Sequence, residues 1–251
     1  EAALQSTIAS GAPFHLELQV PQPDGSMRWI VSQAERIEDD PTSVVGLVQD
    51  ITDRKRAEEV LRANEERQKF LLELSVALRP LADAAEIQAT TTRLLGTYLG
   101  ADRAMYADVK GEPGAETGEI RSQYVRTSTG KTPLAGPFPD LFSFEPFGAH
   151  TMATRYRGEL LVVADVDDDP TFDAVERAAW AAAGVRAAIV APLAKGGRLV
   201  AEFGVHSAIP RAWSEAEAML VREVAERTWS AAERARAEVT LRENEHKFQK
   251  L

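Results

Sequence analysis

The 251-residue sequence contains no cysteine. That removes disulfides, thiolate metal sites, a cysteine nucleophile and thioether attachment of a cofactor together. Histidine is scarce as well, with four residues scattered along the chain, so no Ser, His and acid arrangement is legible. Neither a P-loop nor a dinucleotide fingerprint occurs. No apolar run approaches the length that crosses a bilayer, and the N-terminus lacks a basic flank followed by an apolar core. The expectation is a cytoplasmic segment with no membrane-embedded part. Basic residues are outnumbered, 29 Lys and Arg against 39 Asp and Glu, for a formal charge of -10. Nucleic acid is therefore not an expected partner, since a phosphate backbone needs a basic face.

What the chain has is a strand that runs directly into a long charged helix. Ser43 to Ile51 alternates and is rich in Val and Ile, whereas Thr52 to about Leu81 is built from strong helix formers. Thr52 is a good N-cap residue, and Asp53 sits where the helix dipole favours an anion. The apolar positions follow a seven-residue rhythm. Ala57, Asn64, Leu71 and Leu78 occupy one seam position, and Val60, Arg67, Leu74 and Leu81 the other. This predicts a short coiled-coil seam.

The same piece returns at an offset of 180 residues, where Arg234, Arg236, Ala237, Glu238, Leu241, Arg242, Asn244 and Glu245 repeat Arg54, Arg56, Ala57, Glu58, Leu61, Arg62, Asn64 and Glu65. Two copies of one connecting helix predict domains strung on helical linkers. Asn64 and Asn244 share a seam position, where a polar residue fixes register and strand number. The alternative is that both asparagines face water. A parallel homodimer through both linkers follows from the seam. Glu1 enters within a helical pattern and Leu251 stops inside the second linker copy, so both ends read as cut from a longer chain.

Ahead of the linker, residues 1–10 read as a short helix closed by Gly11 and Pro13. Phe14 to Val20, Met27 to Ile37 and Ser43 to Ile51 read as an antiparallel three-strand meander with Asp24-Gly25 at the first turn. The pattern Pro23-Asp24-Gly25-Ser26-Met27-Arg28-Trp29, followed by Gly46-Leu47-Val48-Gln49-Asp50-Ile51-Thr52-Asp53-Arg54-Lys55, resembles the C-terminal half of a PAS sensory domain. In that family the Asp-Ile-Thr ending the last strand marks the junction with the output helix. The resemblance therefore implies a signal-relay role for Asp50, Ile51, Thr52 and Asp53. It covers the last three strands, without the front that helps enclose a PAS ligand cavity.

After the linker, Asp83 to Tyr98 is an amphipathic helix stopped by Gly100. Strands are expected at 103–109, 119–126, 160–166, 186–193 and 199–207, and short helices at 150–158 and 173–183. Gly196-Gly197 makes a hairpin turn, 128–139 is a Gly/Pro-rich loop, and a long helix begins at Trp213. Leu99-Gly100-Ala101-Asp102-Arg103-Ala104, Gly184-Val185-Arg186-Ala187-Ala188-Ile189-Val190-Ala191-Pro192-Leu193, Gly204-Val205-His206-Ser207 and Arg211-Ala212-Trp213-Ser214 resemble a GAF sensory domain over roughly 67–236.

The expected fold class is α+β: a partial PAS antiparallel sheet, a long helical linker, then a GAF domain with a central antiparallel sheet flanked by helices. The expected bounds are 1–52 for the PAS part, 53–81 for the linker, 67–232 for the GAF domain and 233–251 for an output helix. PAS and GAF in this order resemble the sensory region of bacterial histidine kinases, and sometimes of diguanylate cyclases. That resemblance implies a two-component sensor, and a response regulator reached through an output domain beyond this segment. The segment itself is expected to be non-catalytic.

The resemblance also implies a cavity walled by Phe144, Phe147, His150 and Tyr156, where a metabolite, haem or non-covalent tetrapyrrole would bind. The bland alternative is that these aromatics pack a core and His150 is exposed. No cofactor is assigned, and a covalent bilin is excluded by the missing cysteine. The cyclic-nucleotide GAF signature Asn-Lys-x-Phe-Asp-Glu is not matched around Phe172-Asp173. Asp165, Asp167, Asp168 and Asp169 are read either as a turn and helix cap or as oxygen ligands for a hard cation; no EF-hand spacing is present. His246 lies in Asn244-Glu245-His246-Lys247-Phe248, which lacks the acid and proline of a phosphoacceptor motif, and is read as a solvated helix histidine.

Overall fold

The computed structural model describes residues 2–10, 12–37, 40–126 and 136–248. The chain divides into two compact units, 1–69 and 70–251. Among the described residues, no helix is long and apolar enough to cross a membrane.

The first unit opens with α1 (Ala2–Ser10) and continues into β1 (Phe14–Pro21), β2 (Met27–Ile37) and β3 (Asp40–Asp50), an antiparallel sheet in the order β1-β2-β3. The β1–β2 turn is fixed by Asp24, whose Oδ1 accepts from the Ser26 N–H at 2.9 Å and hydroxyl at 2.6 Å, with Gly25 at φ +82. Glu38 and Asp39, in the second turn, lie outside the described residues. Val31, Ala34 and Ile51 are buried, whereas Leu16, Leu18, Leu47 and Val48 stay exposed, so this sheet keeps apolar surface uncovered.

The strand-to-helix junction is tightly hydrogen-bonded. Ile51 N–H donates to Trp29 O at 2.8 Å, and Thr52 N–H to Asp50 Oδ1 at 2.9 Å. Thr52 is the first residue of α2 (Thr52–Leu78) rather than its cap. The first helical bond is accepted by Ile51 O, and the Thr52 hydroxyl oxygen is taken by the Trp29 N–H at 2.9 Å. A side chain held by β2 cannot also cap its own helix, so Asp50 supplies the acceptor instead. Hydrogen bonding from Thr52 holds the Asp50 carboxyl below the usual carboxylate range. Glu17 on β1 pairs with Arg54 at 2.6 Å and Lys55 at 2.5 Å, while Asp53 is fully exposed in the first turn.

The second unit is a six-stranded antiparallel sheet between two helical layers. In sequence come α3 (Ala84–Tyr98), β4 (Arg103–Lys110), β5 (Thr117–Val125), β6 (Leu141–Ser143), α4 (Gly148–Tyr156), β7 (Leu161–Val163), α5 (Ala174–Ala182), β8 (Ala187–Lys195), β9 (Arg198–Ser207) and α6 (Glu215–Phe248). The sheet order is β6-β5-β4-β9-β8-β7. Side-chain alternation divides its strands between two cores. Tyr106, Ile189, Ala191, Phe203 and Val205 face Phe70, Leu71 and Leu74 of α2, Leu95 of α3, and Leu220, Val221 and Val224 of α6. Met105, Ala188 and Val190 face the other way, with Phe138, Phe147, Val163, Phe172 and Trp180.

Helix ends follow local chemistry. Asp83 caps α3 by accepting from Glu86 N–H at 2.9 Å, and Asp173 forms a capping box with Glu176 on α5. Gly148 has φ +87 and lies against the Glu176 side chain, so a Cβ there would clash. α6 starts at Glu215 rather than Trp213, because Ser214 and Glu217 make the cap and the Trp213 indole donates to Val163 O at 3.1 Å. The strand expected at 160–166 is short, since Asp165 leaves it to meet Arg186 at 2.7 Å.

The seam of α2 is used in two ways. Leu71 and Leu74 are buried in the second unit's own core and Leu78 packs against it, while Ala57, Val60 and Asn64 are exposed. The Asn244 and His246 side chains lie outside the described residues.

Candidate functional site

The aromatic and histidine candidates do not share one site. α4 buries Thr151, Thr154 and Arg155, so its period places His150 on the exposed side, where its carbonyl accepts from the Thr154 hydroxyl at 3.2 Å. Phe144 is buried against Val109 and Leu199. Tyr156 is 42% exposed; its hydroxyl donates to the Glu116 carboxylate and accepts from Gly114 N–H at 3.1 Å. Phe144 and Tyr156 line an open groove of about 680 Å³ with Glu116, Ser143, Gly148 and Met152. Phe147 instead points inward, with its ring 5.1 Å from that of Trp180.

The acidic cluster is occupied by the protein itself. Arg186 pairs with Asp165 at 2.7 Å and Asp167 at 2.9 Å, and Asp169 accepts from Thr171 N–H and hydroxyl at 2.9 and 2.7 Å. Among the described residues no three His, Asp or Glu side chains are grouped to hold a metal ion.

The polar centre of the second unit lies between the sheet and the α4–α5 layer. β9 presents Glu202, Gly204 and His206 on one face by its two-residue alternation. Met105 of β4, Arg155 of α4 and Trp180 of α5, together with Glu202, His206, Phe138, Phe142 and Phe147, surround a void of about 10 Å³, and Arg103 of β4 reaches the centre through His206. Arg155 and Glu202, 3% and 1% exposed, form an ion pair at 2.8 Å. Arg103 Nε donates to His206 Nδ1 at 3.0 Å, and its two other nitrogens donate to Gly136 O at 2.6 Å and Ala183 O at 2.9 Å. The Arg103 guanidinium lies 4.8 Å from the Phe138 ring, and that of Arg155 lies 5.2 Å from the Phe144 ring. A Cβ on Gly204 would come within 2.9 Å of His206 Nε2, so the missing side chain makes room for the imidazole.

Burial pushes the Arg103 guanidinium down to about 10. It therefore keeps its proton at neutral pH. His206 is held well below the ordinary value of 6.5, first by burial and then by the charges of Arg103 and Arg155. Its ring is neutral, and since Nδ1 accepts from Arg103, the proton belongs on Nε2.

A pH dependence follows. The folded His206 takes a proton less readily than the unfolded one, so the stability it confers is present above about pH 6.5 and is lost as pH falls. Urea unfolding between about pH 7.5 and 5.5 is expected to show a loss of up to about 1.4 kcal/mol per pH unit at the acid end. Replacing His206 by Asn, which keeps an acceptor for Arg103, is expected to flatten that slope. An unchanged slope would assign the acid sensitivity to other groups.

Sequence reasoning named Arg103 and His206 within family motifs but did not join them, and passed over Arg155, Trp180 and Glu202. The signal was available in β9, where Glu202 and His206 are polar residues on the face opposite Ala201, Phe203 and Val205.

A GAF domain family model matches residues 83–232, and the chain belongs to that family. Its fold is shared with the phycoerythrobilin-bound GAF domain of a cyanobacterial phytochrome, at TM-score 0.56 and 17% identity over 68% of this chain and 97% of that one. The free methionine-R-sulfoxide reductase of Neisseria meningitidis, solved with its substrate, aligns at TM-score 0.51 and 19% identity over 68% and 91%. The chromophore-binding domain of a Stigmatella aurantiaca bacteriophytochrome aligns at TM-score 0.52 and 15% identity over 83% and 70%. No curated protein matches the chain.

Proposed function

We propose that this chain is a sensory and relay segment of a multidomain two-component sensor, passing conformational change along its helices. The first unit is the tail of a PAS domain, and the signal enters the helix through Asp50, Ile51, Thr52 and Asp53. The observation that carries this reading is the use of α2 and α6. Each buries a few turns in the GAF core, through Leu71 and Leu74 or Val221 and Val224, and continues away from them as a charged helix bearing exposed Val60 and Leu61 or Val239 and Leu241. A shift in the register of either helix thereby reaches the core directly.

The two repeated pieces fall in these charged stretches, the second beginning where Ala235 is still buried and Arg236 pairs with Asp108 of β4 at 3.1 Å, and we assign them to a parallel homodimer. Asn64, and Asn244 in the second copy, would hold two helix registers within a few kcal/mol of one another. The output module and its response regulator lie beyond the segment, and a histidine kinase is preferred over a diguanylate cyclase on the resemblance of the domain order.

Native mass spectrometry tests the dimer, and Asn64→Leu tests the seam. The substitution is expected to tighten self-association about tenfold or more, or about 1.4 kcal/mol, in sedimentation equilibrium. An unchanged dissociation constant would place Asn64 outside the interface. A tetrapyrrole or haem reading receives no support from the interior, whose void of about 10 Å³ is the size of one water.

A further inference from the structure

The groove along α4 carries negative charge with nothing to balance it. Glu116 and Glu145 line its volume of about 680 Å³ together with Phe144, Met152, Ala153 and Tyr156, and among the described residues no lysine, arginine or histidine does. Glu116 is buried, at 6% exposure. Its carboxylate is held by two neutral donors, the Tyr156 hydroxyl on Oε1 and the Gly114 N–H on Oε2 at 2.9 Å. Burying an ionised carboxylate without a countercharge carries a penalty that neutral donors offset only in part.

The bases around it are committed elsewhere. At the end of α4, Arg155 pairs with Glu202 and Arg157 with Glu159, both at 2.8 Å. Arg198, which lines a smaller hollow of about 220 Å³ with Glu116 and Tyr156, is held by Glu112 at 3.2 Å and Gly111 O at 3.0 Å. Tyr156 is the last residue of α4, so the negative end of that helix dipole lies beside Glu116 as well. Water would fill the remaining acceptor positions and leave the charge. A hard metal ion needs several oxygen ligands, and among the described residues no such group is assembled, whereas Phe144, Met152 and Ala153 offer an apolar wall. A cation with a hydrocarbon body meets both the charge and the wall.

We propose that the α4 groove binds a small organic ammonium compound, with its nitrogen on Glu116 and its hydrocarbon part along Phe144, Met152 and Ala153. The volume of the groove falls within the range of about 300–1,000 Å³ that small-molecule sites occupy. Tyr156 is a positioning residue. Burial and the Glu116 carboxylate raise the pKa of its hydroxyl, which therefore stays a donor at neutral pH and holds the carboxylate in place. The occupant is a free molecule, because a recessed carboxylate in a concave groove suits a compact ligand better than a protein surface. The site goes beyond the relay reading and does not depend on dimerisation.

The test uses the whole chain with its methionine methyl groups labelled with carbon-13. The sequence has four methionines, and the Met152 signal is assigned by its disappearance in Met152→Leu. Phenethylamine, phenethyl alcohol and hydrocinnamate, which share an aromatic body and differ in charge, are titrated separately at constant ionic strength and neutral pH. The expected result is a saturable shift of the Met152 signal by the amine, at an affinity about tenfold or more above that of the alcohol, and no response to the carboxylate. Glu116→Gln keeps an acceptor for Tyr156 and removes the charge, and is expected to bring the amine down to the level of the alcohol. A Met152 signal unmoved by the amine, equal affinities for amine and alcohol, or amine binding unchanged in Glu116→Gln overturns the site. If Glu116→Gln does not fold, Ala153→Lys decides, since it brings an ammonium into the groove from an exposed position. A loss of amine affinity of about tenfold or more supports the site, and an unchanged affinity overturns it. Nα-acetyllysinamide binding more tightly than phenethylamine would assign the groove to a protein lysine and overturn the free molecule as its occupant.

Discussion

Glu202→Ala is expected to destabilise the second unit by about 3–5 kcal/mol, the usual cost of removing one partner from a buried ion pair. For a unit of this size the thermal midpoint would fall by roughly 6–20 °C. The cause is the partner left behind: Glu202 is 1% exposed, and without it the Arg155 guanidinium, 3% exposed, lies against the Phe144 ring with no countercharge. The lost contact is the smaller part of the penalty, and the stranded charge is the larger. Replacing both residues by apolar ones, Arg155→Met with Glu202→Leu, is therefore expected to recover most of the loss. A double variant as unstable as Glu202→Ala would mean that the pair contributes through packing, and calorimetry distinguishes the two results.

Leu74→Ala is expected to cost about 2–5 kcal/mol in urea unfolding followed by circular dichroism. Leu74 is 1% exposed and packs in the core that holds Leu95, Phe203 and Val221, so its removal leaves a cavity in the middle of the second unit. Val60→Ala, fourteen residues earlier on the same seam, removes a side chain that is 61% exposed and is expected to change stability by less than about 0.5 kcal/mol. The contrast measures where α2 stops being linker and starts being core. Equal, small costs at both positions would show that the end of α2 is not part of the cooperative unit.

That division of α2 is one place where the pattern in the sequence was ambiguous. A heptad rhythm says that one face of a helix is covered, and it does not say by what. From Leu71 onward the covering surface is the same chain's sheet and helices, a tertiary fact that periodicity does not carry. Most regular elements were legible, because β8 and β9 are bounded by Gly196-Gly197 and α3 and α5 carry side-chain caps at Asp83 and Asp173, whereas the three-residue β6 was not among the expected strands. Boundaries moved where a side chain was claimed from a distance: Thr52 by Trp29, and Asp165 by Arg186.

The polar centre was harder to read for the same reason. Arg103, Arg155, Trp180 and Glu202 are separated by 22 to 52 residues along the chain, and no spacing links them. What linked Phe144, Phe147, His150 and Tyr156 was the family resemblance, and the structure places them in an outer groove, an inner core and open solvent. A polar residue on the covered face of an apolar strand was the better guide, and Glu202 and His206 both meet that description.

β9 deserves to be pictured as a wall shared by two rooms. Its even-numbered residues from Glu202 to His206 furnish the polar chamber, while Phe203 and Val205 stand in the chamber where α2 and α6 rest. Since successive side chains leave one backbone in opposite directions, the plaster cannot be moved on one side alone. On the proposed relay reading, a change on the polar side would need no messenger residue to reach the helices, because a single strand carries both sets of side chains.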